Sequence, residues 1–216
     1  MKKLTFFSLF VLSCYFTNAQ SVGLRASVNF ANWSTSNPLV SQAGSSLDGV
    51  TGFGIAVPLE IKLSNRFSLQ PEFMYIQKGS NFSLTIGNVV AAEKALINHL
   101  ELPILLKVNL LGSESPVGIS VIAGPSFAYA VNGSRTTTVT GQPASQSKDF
   151  SFNDYKRFDV GAHFGVNIGL GIGSGKLVLD ARYLLGFNDF NAGNSNPNEA
   201  IRNRGISVGL GYMFSL

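Results

Sequence analysis

The run Gly205-Ile206-Ser207-Val208-Gly209-Leu210-Gly211-Tyr212-Met213-Phe214-Ser215-Leu216 decides the fold. Side chains on a β-strand point alternately to opposite faces. Ile206, Val208, Leu210, Tyr212, Phe214 and Leu216 therefore share one face. Gly205, Ser207, Gly209, Gly211, Met213 and Ser215 share the other. One side of this strand is bulky and apolar. The other is mostly small or polar.

Working outward, the same period-two pattern recurs seven more times. It is clear at Val22, Leu24, Ala26, Val28 and Phe30 against Gly23, Arg25, Ser27 and Asn29. Another instance sets Phe53, Ile55, Val57, Leu59, Ile61 and Leu63 against Gly52, Gly54, Ala56, Glu60 and Lys62. Further strands begin near Phe67, His99, Val117, Phe158 and Leu177. Arg25, Glu60, Lys62, Glu72, Lys78, Glu101, Lys107, Asp159, Asp180 and Arg182 all fall on the small or polar faces. No stretch keeps helical spacing.

A soluble antiparallel sheet also alternates, but it turns its apolar face inward. The interior of a small barrel is narrow, yet here the bulk sits on the apolar face and the glycines and serines on the other. That arrangement suits a barrel with a packed polar interior and an apolar belt against lipid. The expected fold is all-β: eight antiparallel strands in an up-and-down transmembrane β-barrel, closed so that no edge is left unpaired in lipid.

The connections alternate. Links 64–66, 111–116 and 173–175 are short, whereas 33–49, 79–95, 132–155 and 188–203 are long and polar. Short periplasmic turns and long external loops are the pattern of outer-membrane barrels. On that pattern both termini lie in the periplasm. Phe30, Trp33, Phe53, Tyr75, Phe127, Tyr129, Phe158 and Phe187 lie near the long links, and Phe67, Tyr212 and Phe214 near the opposite end. These are the expected interfacial girdles.

The N-terminus reads as an export signal. Lys2 and Lys3 precede an apolar run from Leu4 to Phe16, too short to span a bilayer as a helix. Thr17 and Ala19 are suitably small for cleavage after Ala19. The expected organisation is a signal peptide over 1–19 and a barrel domain over 20–216. Cys14, the only cysteine, leaves with the signal, so no disulfide is expected. The formal charge of +4 falls to +2 without Lys2 and Lys3, and no basic run suggests nucleic acid.

Two stretches resemble a known family: Gln70-Pro71-Glu72-Phe73-Met74-Tyr75-Ile76-Gln77-Lys78-Gly79 and Leu100-Glu101-Leu102-Pro103-Ile104-Leu105-Leu106-Lys107. They are similar to signatures of the PorT-type outer-membrane β-barrel family of Bacteroidetes. Gly124-Pro125, Asp180-Ala181-Arg182-Tyr183 and Gly211-Tyr212-Met213-Phe214 are similar to its later strands. The resemblance implies an outer-membrane barrel assembled by the barrel-insertion machinery, in a family named for a component associated with type IX secretion. Phe214, two residues before the final Leu216, is a looser version of the terminal aromatic assembly signal.

The candidate site is the set of inward charges Arg25, Glu60, Lys62, Glu72, Glu101, Lys107, Asp180 and Arg182. Four acids and four bases are expected to form a salt-bridge plug that fills the lumen and fixes register. The alternative use of the same charges is a proton or ion path, or a gate. His99 and His163 face inward, but no close-spaced ligand motif and no Gly-x-Ser-x-Gly elbow accompanies them. No catalytic, cofactor or metal residues are assigned. His99 is the position to watch for rim chemistry. The expected function is a non-enzymatic structural or adhesive envelope barrel whose surface loops meet an extracellular or envelope partner. A narrow pore, or an accessory component of a type IX-like secretion system, is the alternative. Outer-membrane lipid is the expected surrounding.

Overall fold

The computed structural model describes residues 20–35, 44–111, 117–142, 146–153, 155–191 and 200–216. The expected signal peptide, 1–19, and most of the link 111–116 lie outside the described residues. Among the described residues ten strands occur, in the order β1 (Gln20–Thr35), β2 (Ser45–Asp48), β3 (Val50–Lys62), β4 (Phe67–Ile86), β5 (Val89–Asn109), β6 (Val117–Val139), β7 (Gln146–Asp149), β8 (Phe158–Ile172), β9 (Gly175–Gly186) and β10 (Ile201–Ser215).

Eight of them form the barrel. Going round the wall, the neighbours are β1, β3, β4, β5, β6, β8, β9 and β10, with β10 pairing back to β1. Every pairing is antiparallel. The two short strands stand outside the ring, β2 on β4 and β7 on β6.

The period-two reading holds strand by strand. β3 alternates buried and exposed almost throughout. Exposed side chains include Leu24, Ile55, Phe73, Leu100, Leu179 and Leu210, while Asn29, Ser68, Glu72, His163 and Ser207 are fully buried. Apolar side chains outside and polar ones inside require an apolar surrounding. The interior is not wholly polar. Met74, Ile76 and Leu184 pack with Ala56 in the lumen.

The long links differ from expectation. Residues 79–95 are not a loop: β4 and β5 run on past the barrel as one hairpin, joined only by Gly87 and Asn88. Gly87 takes φ +60°, the left-handed value that a two-residue turn needs. Gly173 does the same at the β8–β9 turn. β6 likewise extends to Val139, carrying β7, and β2 pairs beside the upper part of β4. A five-stranded open sheet, β2-β4-β5-β6-β7, therefore projects from the long-link end. The asymmetry between the two ends survives, as strand rather than as loop.

Candidate functional site

The lumen is held by ion pairs that cross it. Arg25 on β1 reaches Glu72 on β4 at 3.2 Å and Asp180 on β9 at 3.1 Å. Arg182 on β9 grips Glu72 with both terminal nitrogens, at 2.8 and 2.9 Å, and reaches Asp180 at 3.2 Å. Two arginines and two carboxylates thus close a ring, with Gln70 donating to Glu72 at 2.7 Å. β4 and β9 lie on opposite sides of the barrel, so the Glu72–Arg182 fork spans its full width. These charges are tolerated because each is paired and hydrogen-bonded.

Small residues make room for the ring. A Cβ on Gly209 would stand 3.0 Å from Arg25 Nη1 and 3.1 Å from Asp180 Oδ1. Inward glycine on the last strand is therefore the counterpart of inward arginine on the first.

Two further groups complete the filling. Lys107 on β5 meets Glu60 on β3 at 2.8 Å. Toward the long-link end, Lys78 meets Glu101 at 3.1 Å, and His163 Nε2 lies 2.9 Å from the other oxygen of Glu101. Since a carboxylate only accepts, His163 donates through Nε2. Asp159 accepts from Asn203 at 2.9 Å.

Of the predicted charge cluster, Arg25, Glu72, Asp180 and Arg182 come together, Glu60 pairs with Lys107, and Glu101 belongs to the third group. Lys62 does not join. It is exposed at the short-turn end of β3, and Lys78 takes the place in the lumen that it was expected to fill. Both lysines lie on inward rows; what separates them is height along the barrel. His99 is buried, with Nδ1 3.2 Å from the carbonyl of Ile97. Among the described residues no group of three or more His, Cys, Asp or Glu side chains could hold a metal ion.

The long-link end is closed by rings. Phe150 contacts Phe152 and Tyr155, and Phe190 contacts Tyr155 and Trp33, with centroids 4.9–5.6 Å apart. Arg157 lies 3.9 Å above Phe152, and Arg135 lies 5.3 Å from Phe150. Trp33 therefore belongs to this plug and not to the outer girdle. Its odd number puts it in register with inward Asn29 and Ala31. The internal cavities beside Glu101, Asp180 and His99 are each about 10 Å³, room for a single water. A larger, mainly apolar pocket of about 640 Å³ lies against β1, β3, β4 and β5, where Arg25, Met74 and Glu101 contribute to its lining.

No functionally curated protein matches the chain in sequence. In structure it is similar to a major outer membrane protein from Thermus thermophilus, at 14% identity, with 90% of this chain and 99% of that one covered and a TM-score of 0.50. It is also similar to OprG from Pseudomonas aeruginosa (13% identity, 91% and 95% covered, TM-score 0.43). A third similarity is to Ail, the attachment invasion locus protein of Yersinia pestis (10% identity, 90% and 99% covered, TM-score 0.41). At 14% identity the likeness to the Thermus protein is one of fold alone. The outer membrane beta-barrel domain matches residues 18–192, and the chain belongs to that family of outer-membrane proteins, with lipid as the surrounding of its apolar wall.

Proposed function

We propose that this barrel is a closed, non-enzymatic envelope component that meets a partner outside the cell through its projecting sheet. The observation that carries the reading is the five-stranded extension of β2, β4, β5, β6 and β7 beyond the barrel. Its hairpin tip leaves Ile86 70% and Val89 49% exposed, apolar surface of the kind that marks a contact site. The filled lumen supports a structural role over a pore. Long-link excursions facing outward, with both termini in the periplasm, follow from the same asymmetry. Residues 1–19 act in this reading as the export signal, and barrel-assembly machinery inserts the chain. The resemblance around Glu72 and Glu101 supports a PorT-type assignment within Bacteroidetes.

The test is chemical labelling of intact cells. A cysteine placed at Asn88 in the β4–β5 turn reacts with an impermeant maleimide, whereas one at Ser174 in the β8–β9 turn does not. Crosslinking from the Asn88 position then captures the partner. Labelling only at Ser174 overturns the orientation. Stable single-channel conductance in planar bilayers overturns the closed barrel and favours the narrow pore.

A further inference from the structure

Two arginines stand on the outer wall with no carboxylate paired to them among the described residues. Arg25 and Arg182 belong to the lumenal ring. Arg135 pairs with Glu93 at 3.4 Å. Arg157 donates to the carbonyls of Ala130 and Val131. Arg66 is exposed in the β3–β4 link at the other end. Arg202 and Arg204 remain, both exposed on β10 and separated by inward Asn203. Among the described residues no carboxylate forms an ion pair with either.

Their position is specific. The outward row of β10 continues from Arg202 and Arg204 into Ile206, Val208 and Leu210, each 43–53% exposed. Ile206 is registered with Phe30 on one side and Tyr183 on the other, and both rings are exposed. Arg202 donates through Nε to the backbone carbonyl of Phe187, 3.1 Å away, and the Phe187 side chain is exposed. Asp189, on the same rim, accepts from the backbone amides of Asn191 and Ile201. Two permanent positive charges thus stand directly beyond the aromatic edge of the apolar belt, on the lipid side of the wall.

Aromatic rings of this kind mark headgroup level. A planar guanidinium matches phosphate oxygens two at a time, which an ammonium cannot do. The apolar row below offers a surface for acyl chains. We propose that Arg202 and Arg204 form a binding site for the phosphate of a lipid headgroup, with the acyl chains lying along Ile206, Val208 and Leu210. The inference rests on the orientation above only for which leaflet supplies the lipid. With the long-link end outward, it is the phosphorylated lipid of the outer leaflet.

The test uses the full folded barrel in a non-ionic detergent, titrated with bisphosphorylated lipid A, its dephosphorylated form, or inorganic phosphate, and read by native mass spectrometry. The phosphorylated lipid stays bound to the parent and to R66Q. Binding weakens about fivefold for each arginine removed in R202Q and R204Q, and roughly 25-fold in the double variant. R202K/R204K falls between, because charge is kept and the fork is lost. Equal retention by parent and double variant overturns the site, as does equal retention of the dephosphorylated lipid. Displacement of the lipid by an equal concentration of inorganic phosphate overturns the lipid assignment and leaves a plain anion site. Heat-modifiable mobility checks folding, and the single variants decide the matter if the double variant fails to fold. Maleimide labelling at Asn88 reports orientation separately: lipid binding that persists without that labelling moves the site to the other leaflet and keeps it.

Discussion

Half of the barrel wall is zipped without a break, and the other half is not. From β6 through β8, β9 and β10 to β1, every ladder runs continuously. From β1 through β3, β4 and β5 to β6, every ladder skips two pairs. Each break contains one proline: Pro58 opposite Gly23, Pro71 opposite Leu59, Pro103 opposite Glu72, and Pro125 opposite Ile104. Proline has no N–H to donate, so each removes a bond that strands in lipid would otherwise make.

The lumenal charges answer this asymmetry. Glu72 sits in the broken region, registered with Pro58 and flanked in sequence by Pro71. It is tied to Arg182 on the continuous wall opposite and to Arg25 beside it. Glu60 and Lys107 join β3 to β5 across β4, the strand between them. Where the backbone ladder is interrupted, side chains reaching through the lumen hold the strands instead. The plug works as cross-bracing for one wall.

Glu72→Ala tests this most severely. It leaves two buried guanidinium groups short of a partner, and a loss of about 3–5 kcal/mol is expected in urea unfolding from lipid vesicles. Asn167→Ala, an equally buried polar truncation on β8, costs under about 1.5 kcal/mol in the same measurement. Equal losses would break the contrast between the walls.

Leu179→Lys and Arg182→Lys separate outside from inside on one strand. Leu179 is 49% exposed in the middle of β9, and a charge there costs about 2–4 kcal/mol at the bilayer midplane. Arg182→Lys keeps the charge but loses the two-pronged grip on Glu72, for about 1.5–3 kcal/mol. If Leu179→Lys matched the parent while Arg182→Lys did not fold, the two faces would have to be exchanged.

A gentler probe compares backbone protection. Amides beside the four breaks exchange about fivefold faster than those of residues 163–168, the worth of one hydrogen bond of about 1 kcal/mol. Uniform protection around the barrel would mean that the breaks carry no energetic weight. Smallest of all is Lys62→Ala. An exposed lysine outside the lumenal network changes unfolding by less than about 0.5 kcal/mol. A loss like that of Glu72→Ala would return Lys62 to the network.

The strands and their faces are legible in the sequence because period two is a local signal. Nine of the ten charges read as inward are buried, Lys62 being the exception. What parity cannot supply is height. It puts Lys62 and Lys78 on the same face without saying which one meets a carboxylate. Two features carry signals that polarity alone hides. Phe82, Leu84 and Ile86 alternate with Asn81, Ser83 and Thr85 up to Gly87-Asn88, the marks of a hairpin in a stretch polar enough to pass for a loop. Trp33 shares the parity of the inward row, but its place at a strand end suggests a girdle. The proline band is invisible in the sequence, because its alignment exists only once the registers of four seams are known.

The seam between β1 and β10 has a consequence for how the molecule is made. It joins residues 21–35 to residues 201–215 through fifteen consecutive pairs, the two ends of the described chain. The β4–β5 and β8–β9 hairpins close over two residues each, whereas this seam cannot form until the chain has been emitted through β10. Pairing of such distant segments carries the greatest loop-closure entropy and belongs late in folding. Without this seam β1 and β10 would each leave a row of backbone N–H and C=O groups unpaired. The fifteen consecutive pairs satisfy both edges along the full length of the seam, so this one register turns a sheet into a cylinder.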